Sequence, residues 1–139
     1  MSPKKTPRVE LTLPIIPDME LAAIKTSEVI AKHMDLGEEK SAEISMALIE
    51  ATINAFEHSE SEAGNVEIHF VIQDETLVIK VTDKGKGFDK TNVKIPKIEE
   101  KLGSDHKRGW GLKLIQELMD TVEFESSPEG TTVTMTKKK

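Results

Sequence analysis

The chain has 139 residues, 37% of them hydrophobic and 32% charged, with no cysteine and a net charge of −6. That is one domain's length with enough apolar residue to build a core, which argues against disorder, and the lack of cysteine excludes disulfides, thiolate nucleophiles and cysteine-held metals. An acidic domain is a poor bulk binder of nucleic acid, no stretch nears the roughly 18 apolar residues of a membrane span, and the N-terminus lacks the apolar run of a signal peptide, so a cytoplasmic protein without nucleic-acid or membrane contact is expected.

Residues 1–8 are polar and proline-punctuated and read as a loose arm. Val9-Glu10-Leu11-Thr12-Leu13 alternates apolar and polar, the period of a half-buried strand, and Pro14 and Pro17 close it. Asp18 is the expected N-cap of a helix to about Met34, and Gly37 stops it. A longer helix is expected from Glu38 to about Glu60, with Ile44, Ala47, Leu48, Ala51 and Ala55 as its apolar stripe. Two strands follow, near Val66–Ile72 and Leu77–Thr82, joined by a short turn. Residues 83–109 break the rhythm with four glycines and many charges, and a long irregular segment in a compact domain is commonly functional. A third helix is expected from Trp110 to Met119, then strands at Val122–Ser126 and Thr131–Thr136. Lys137-Lys138-Lys139 reads as a solvated, frayed tail.

The strand pairs 66–72 with 77–82 and 122–126 with 131–136 are joined by short turns rather than helices. The order predicts an α+β two-layer sandwich, with a mixed, mostly antiparallel sheet and helices on one face.

Three clusters carry chemistry. Glu50, Asn54 and His58 stand four apart on the long helix and share a face. A carboxylate and an amide in that relation suit a hydrated Mg²⁺, and the carboxylate suits proton abstraction from a hydroxyl. A solvated helix face looks the same. Asp83-Lys84-Gly85-Lys86-Gly87-Phe88 follows a strand. Its aspartate suits an exocyclic amine such as adenine N6, and its glycines suit either close ligand approach or an ordinary turn. Lys107-Arg108-Gly109-Trp110-Gly111-Leu112 opens a helix, where bare amides and two cations attract anions. No Walker-type phosphate loop is present. Together the clusters supply the parts of an ATP site.

In order and spacing the chain resembles the GHKL, or Bergerat-fold, ATP-binding domains over about residues 9–137. Glu50-x-x-x-Asn54-Ala55-x-x-His58 resembles the family's N-box in the form typical of anti-sigma-factor serine/threonine kinases. Asp83-x-Gly85-x-Gly87 matches the G1 box, Gly109-Trp110-Gly111-Leu112 the G2 box, and Gly130-Thr131-Thr132 the closing strand motif. The resemblance implies ATP and Mg²⁺ as cofactors. It implies Asn54 as the Mg²⁺ ligand, Glu50 as the general base, and Asp83 as the adenine-amine acceptor with Thr131 assisting. Gly85 and Gly87 pass close to the base, and Gly109 and Gly111 offer amides to phosphate. Lys107 or Arg108, with the choice left open, sits near the γ-phosphate, and residues about 89–108 form an ATP lid. His58 orders the site rather than moving a proton.

Only a short arm and a strand precede the domain, which sets aside a sensor histidine kinase of the usual build. The expectation is an anti-sigma regulatory factor that sequesters a sigma factor and phosphorylates an antagonist protein on serine or threonine. The alternative is a non-catalytic, nucleotide-gated binding module. The first strand and helix carry enough apolar surface for a homodimer.

Overall fold

The computed structural model describes residues 7–58, 65–83, 113–127 and 130–139. Five strands form one sheet: β1 (Arg8–Pro14), β2 (Asn65–Gln73), β3 (Thr76–Asp83), β4 (Thr121–Ser127) and β5 (Gly130–Lys138), in the spatial order β1-β2-β3-β5-β4. Every pairing is antiparallel, so the parallel component allowed by a mixed sheet is not found among the described residues. The sheet begins earlier than the alternation at Val9 suggests. Arg8 is already paired with Val71, and the Ile72 amide donates to the Pro7 carbonyl at 2.9 Å.

Two helices, α1 (Glu20–His33) and α2 (Glu38–His58), pack against each other, and α2 lies on β2, β3 and β5. A third helical segment, α3, covers residues 113–118. The strands alternate as a sheet covered on one side must. Val66, Ile68 and Phe70 of β2, and Leu77, Ile79 and Val81 of β3, are buried with Val133 and Met135 of β5. They share one core with Ala23, Ile30, Ile44, Leu48, Ile115 and Met119, so the helices cover that single face. The expected stripe of α2 is the observed one: Ile44, Ala47, Leu48, Ala51 and Ala55 are all buried. Opposite lies a polar face, where Thr82 and Thr132 hydroxyls meet at 3.1 Å.

The start of α1 differs from expectation. Met19 is the N-cap and makes no side-chain capping bond, while Asp18 sits at φ 76° in the preceding turn. Pro17 explains this, because the chain must turn after β1 before a helix can begin, and aspartate tolerates the left-handed region that the turn requires. Between the helices Asp35 (φ 60°) and Gly37 (φ 94°) make the tight reversal, so Gly37 does end the first helical run.

The C-terminal lysines also differ. Lys137 is buried, and its Nζ pairs with Glu43 Oε1 at 2.8 Å and donates to the Leu118 carbonyl at 2.5 Å. The Lys138 amide donates to Asp120 Oδ2 at 2.6 Å, and the Lys139 amide to the Glu75 carbonyl at 2.7 Å. The physical reason is register. Lys137 continues the inward row of Thr131, Val133 and Met135, so β5 carries it under α2, where only a carboxylate and a helix-end carbonyl make its burial tolerable.

Candidate functional site

The β3–β5 register sets the site's floor. Asp83 and Thr131 are direct partners at one end of that pair, and Thr76 and Lys138 are partners at the other. Asp83 follows Leu77, Ile79 and Val81 in the inward row of β3, and Thr131 precedes Val133 and Met135 in that of β5, so both face the helices. Both are buried, at 3% and 5% exposure. The Thr82–Thr132 hydroxyl contact, directly behind them on the open face, holds the register at this end.

The direction of α2 is fixed by its anchors. Lys40 Nζ donates to the Lys138 carbonyl at 3.0 Å, and Glu43 holds Lys137. The helix N-terminus is thus pinned at the Lys137–Lys138 end of β5. Eleven residues of helix carry the chain from Glu43 to Asn54, about 16 Å of rise. Six residues of strand lead from Lys137 back to Thr131, about 20 Å. The C-terminal half of α2, with Glu50 and Asn54, therefore runs to the same end of the sheet as Asp83 and Thr131. Glu50 and Asn54 are half-buried and one helical turn apart. The fold thus directs all four described candidates, separated in sequence by up to 81 positions from Glu50 to Thr131, toward one end of the sheet.

The remaining candidates, Gly85, Gly87, Lys107, Arg108, Gly109, Gly111 and the segment 89–108, lie outside the described residues, as does the side chain of His58.

Chemically, the described part suits a nucleotide. A buried aspartate accepts hydrogen bonds and a nucleobase amine donates them. The Thr131 hydroxyl is buried with no hydrogen-bond partner among the described residues. A buried hydroxyl left so costs on the order of 1–3 kcal/mol, which a polar ligand atom recovers. For Mg²⁺ the donor set fits too: carboxylate and amide oxygens are hard ligands, and Mg²⁺ takes one or two protein oxygens with water and phosphate completing its shell. Among the described residues no group of three or more acidic, histidine or cysteine side chains could hold a metal by protein alone. No helix among them is long and apolar enough to cross a membrane.

Sequence reasoning missed the residues that orient this site. Glu43, Lys40 and Lys137 aim α2 along the sheet, yet two of them look like ordinary surface charges and the third like a tail. One signal was available, since Lys137 has the same parity as the inward positions of its strand.

The model of the histidine kinase-like ATPase domain matches residues 18–137. A serine-protein kinase RsbW of Bacillus pumilus is 32% identical over 142 residues, covering 93% of this chain and 84% of its own. An anti-sigma F factor of Caldanaerobacter subterraneus subsp. tengcongensis is 33% identical over 109 residues, covering 77% of this chain and 76% of its own. Among solved structures, that of RsbU and RsbW domains from Mycobacterium tuberculosis superposes with a TM-score of 0.71 over 96% of this chain and 32% of that one. At 19% identity that likeness is one of fold. The sheet order, the inward-facing Asp83–Thr131 pair and the span of the match agree: this chain belongs to the histidine kinase-like ATPase domain family.

Proposed function

We propose that this protein is an anti-sigma factor with ATP-dependent serine/threonine kinase activity, which sequesters a sigma factor and phosphorylates the antagonist that would release it. One observation carries the reading. The half-buried Glu50–Asn54 row and the buried Asp83–Thr131 pair share one end of the fold in a chain whose relatives are named serine-protein kinase and anti-sigma F factor.

In this reading Asp83 and Thr131 bind the adenine edge, Asp83 accepting from the exocyclic amine. Asn54 holds Mg²⁺, which neutralises phosphate charge when bound. Glu50 faces the incoming hydroxyl. The antagonist's serine or threonine oxygen bonds to the γ-phosphorus as the bond to the β,γ-bridging oxygen breaks. The hydroxyl proton passes to Glu50, and ADP leaves. Such chemistry asks mainly for positioning and charge neutralisation, which two rigid elements supply. The reading assigns the base to Gly85 and Gly87, the phosphates to Gly109, Gly111 and Lys107 or Arg108, and the ATP lid to about 89–108, all outside the described residues. The reading also includes a cytoplasmic location and a homodimer through β1 and α1, with Leu21 of α1 and Ile16 of the turn between them about half exposed.

The test is phosphotransfer from radiolabelled ATP to purified antagonist proteins of the source organism, with Asn54→Ala as the comparison. Label on an antagonist serine or threonine, lost in the variant, is expected. Nucleotide binding without transfer to any antagonist refutes the kinase reading and leaves a nucleotide-gated binding module.

A further inference from the structure

At the end of the molecule away from Asp83 and Thr131, a groove opens between the C-terminal half of α1 and the N-terminal half of α2. It has a volume of about 540 Å³, and Glu28, Lys32, Asp35, Glu38, Ser41 and Ser45 are among its lining residues. Three carboxylates thus line the groove with one ammonium group, Lys32, and Glu28 also makes an exposed pair with Lys25 at 3.9 Å. Two apolar side chains on the same two helices are exposed and lie outside the core. Val29, next to Glu28, is 69% exposed, and Met46, one turn beyond the lining residue Ala42, is 50% exposed. A valine so exposed contributes nothing to the core that holds Ala23, Ile30 and Ala31 of the same helix.

We infer that this groove docks a basic segment of the sequestered sigma factor, one that offers lysine or arginine. The inference rests on the proposed sequestration. Charge complementarity supports the pairing. A protein that reads promoter DNA must neutralise phosphates with cationic side chains. An anti-sigma factor that covers those side chains needs carboxylates in their place, on a surface shaped to receive them. This acidic chain concentrates three carboxylates in a helix-lined groove whose only apolar lining residues with a side chain are Ala31 and Ala42, so charge is what the groove offers a partner. The groove lies on the N-terminal half of α2, whereas Glu50 and Asn54 lie on the C-terminal half. Client and nucleotide therefore occupy different ends of one helix.

The test measures affinity for purified alternative sigma factors of the source organism, by calorimetry or interferometry at low and moderate salt. Three proteins are compared: wild type, Glu28→Lys with Glu38→Lys, and Lys32→Glu. All three positions are exposed, so the fold is kept, which the circular dichroism spectrum and the ATP-induced rise in melting temperature check. The double reversal should weaken sigma-factor binding by about 10- to 100-fold at low salt and flatten its salt dependence. Lys32→Glu should tighten it by about threefold. Antagonist phosphorylation should be unchanged in both.

Sigma-factor affinity unmoved by the double reversal overturns the groove alone. Loss of antagonist phosphorylation with sigma-factor binding intact also overturns it, since the groove then belongs to the antagonist. So does loss of self-association, read by light scattering, with sigma-factor binding intact, because the groove then seats a second copy. A wild-type protein that binds none of the sigma factors overturns the sequestration reading, and the groove's occupant with it.

Discussion

Thr131→Val separates what the hydroxyl does for the fold from what it does for a ligand, because the two effects have opposite signs. Thr131 is 5% exposed on an inward row of β5, and its hydroxyl oxygen has no hydrogen-bond partner among the described residues. Valine has the same shape and suits a strand at least as well. In the ligand-free protein the substitution removes a buried, unsatisfied polar atom. It should therefore stabilise, by about 1 kcal/mol at the low end of the desolvation range. For a domain of this size that is roughly 4 °C in melting temperature. With ATP and Mg²⁺ the same change removes one hydrogen bond to the base, about 1 kcal/mol, which is near a fivefold loss of affinity. At a concentration 100 times the wild-type Kd, the nucleotide adds about 2.7 kcal/mol to wild type but only about 1.8 kcal/mol to the variant. The assay is a pair of thermal melts per protein, with and without nucleotide. Two results refute the reasoning. A fall in ligand-free melting temperature means the hydroxyl already has a structural partner. An undiminished nucleotide shift means it does not serve the base.

Thr52→Val is the control: Thr52 is fully buried with an equally unpartnered hydroxyl, but at two residues from both Glu50 and Asn54 it points away from their shared face. It should raise the ligand-free melting temperature by a similar few degrees and leave the nucleotide shift unchanged in the same melts. Lys137→Met leaves Glu43, whose side chain is 33% exposed and so partly rehydrated, and strips a partner from the Leu118 carbonyl. It should destabilise by about 2 kcal/mol in a urea melt, and adding Glu43→Leu should recover part of that loss. Glu50→Gln should lower kcat for antagonist phosphorylation by about 10²- to 10⁴-fold with the nucleotide shift retained, because it removes only a proton acceptor.

Much of the fold was legible because burial and period coincide. In α2 the apolar stripe from Ile44 to Ala55 is the face that meets the sheet, so helical spacing alone predicts both the helix and its orientation. In β2 and β3 the alternation of Val66, Ile68 and Phe70, then Leu77, Ile79 and Val81, is the burial pattern itself. What could not be read was decided at a distance. The α1 N-cap depends on how the chain leaves β1, and a side chain at Asp18 says nothing of a turn forced by Pro17. Lys137 is the sharper case. Three consecutive lysines at a terminus look solvated by composition, yet strand parity sends the first of them inward to a carboxylate 94 positions away. The candidate site divides the same way. Glu50 and Asn54 announce themselves by a four-residue spacing. The pairing of Asp83 with Thr131 needs the sheet order, because β4 lies outside β5 and lets β5 sit beside β3.

That sheet order has a consequence for how the two proposed activities are related. The helix α2 spans 21 residues, about 31 Å, with its first turns held at Lys137 and Lys138 and its C-terminal half running toward the Asp83–Thr131 end of the sheet. A straight, well-packed helix transmits position, but coupling two sites requires an element with two arrangements that each ligand biases differently. Among the described residues α2 is not such an element. Its stripe from Ile44 to Ala55 is buried in one core, and Lys40 and Glu43 fix its register on β5. Docking at the groove and chemistry at Glu50 should therefore be separable by mutation. Groove reversals should leave phosphotransfer intact, and Glu50→Gln should leave client affinity intact in the same binding assay. Any nucleotide dependence of client binding must then come from chain outside α2, and a variant of α2's exposed face that altered both properties together would refute the rigid-rod account.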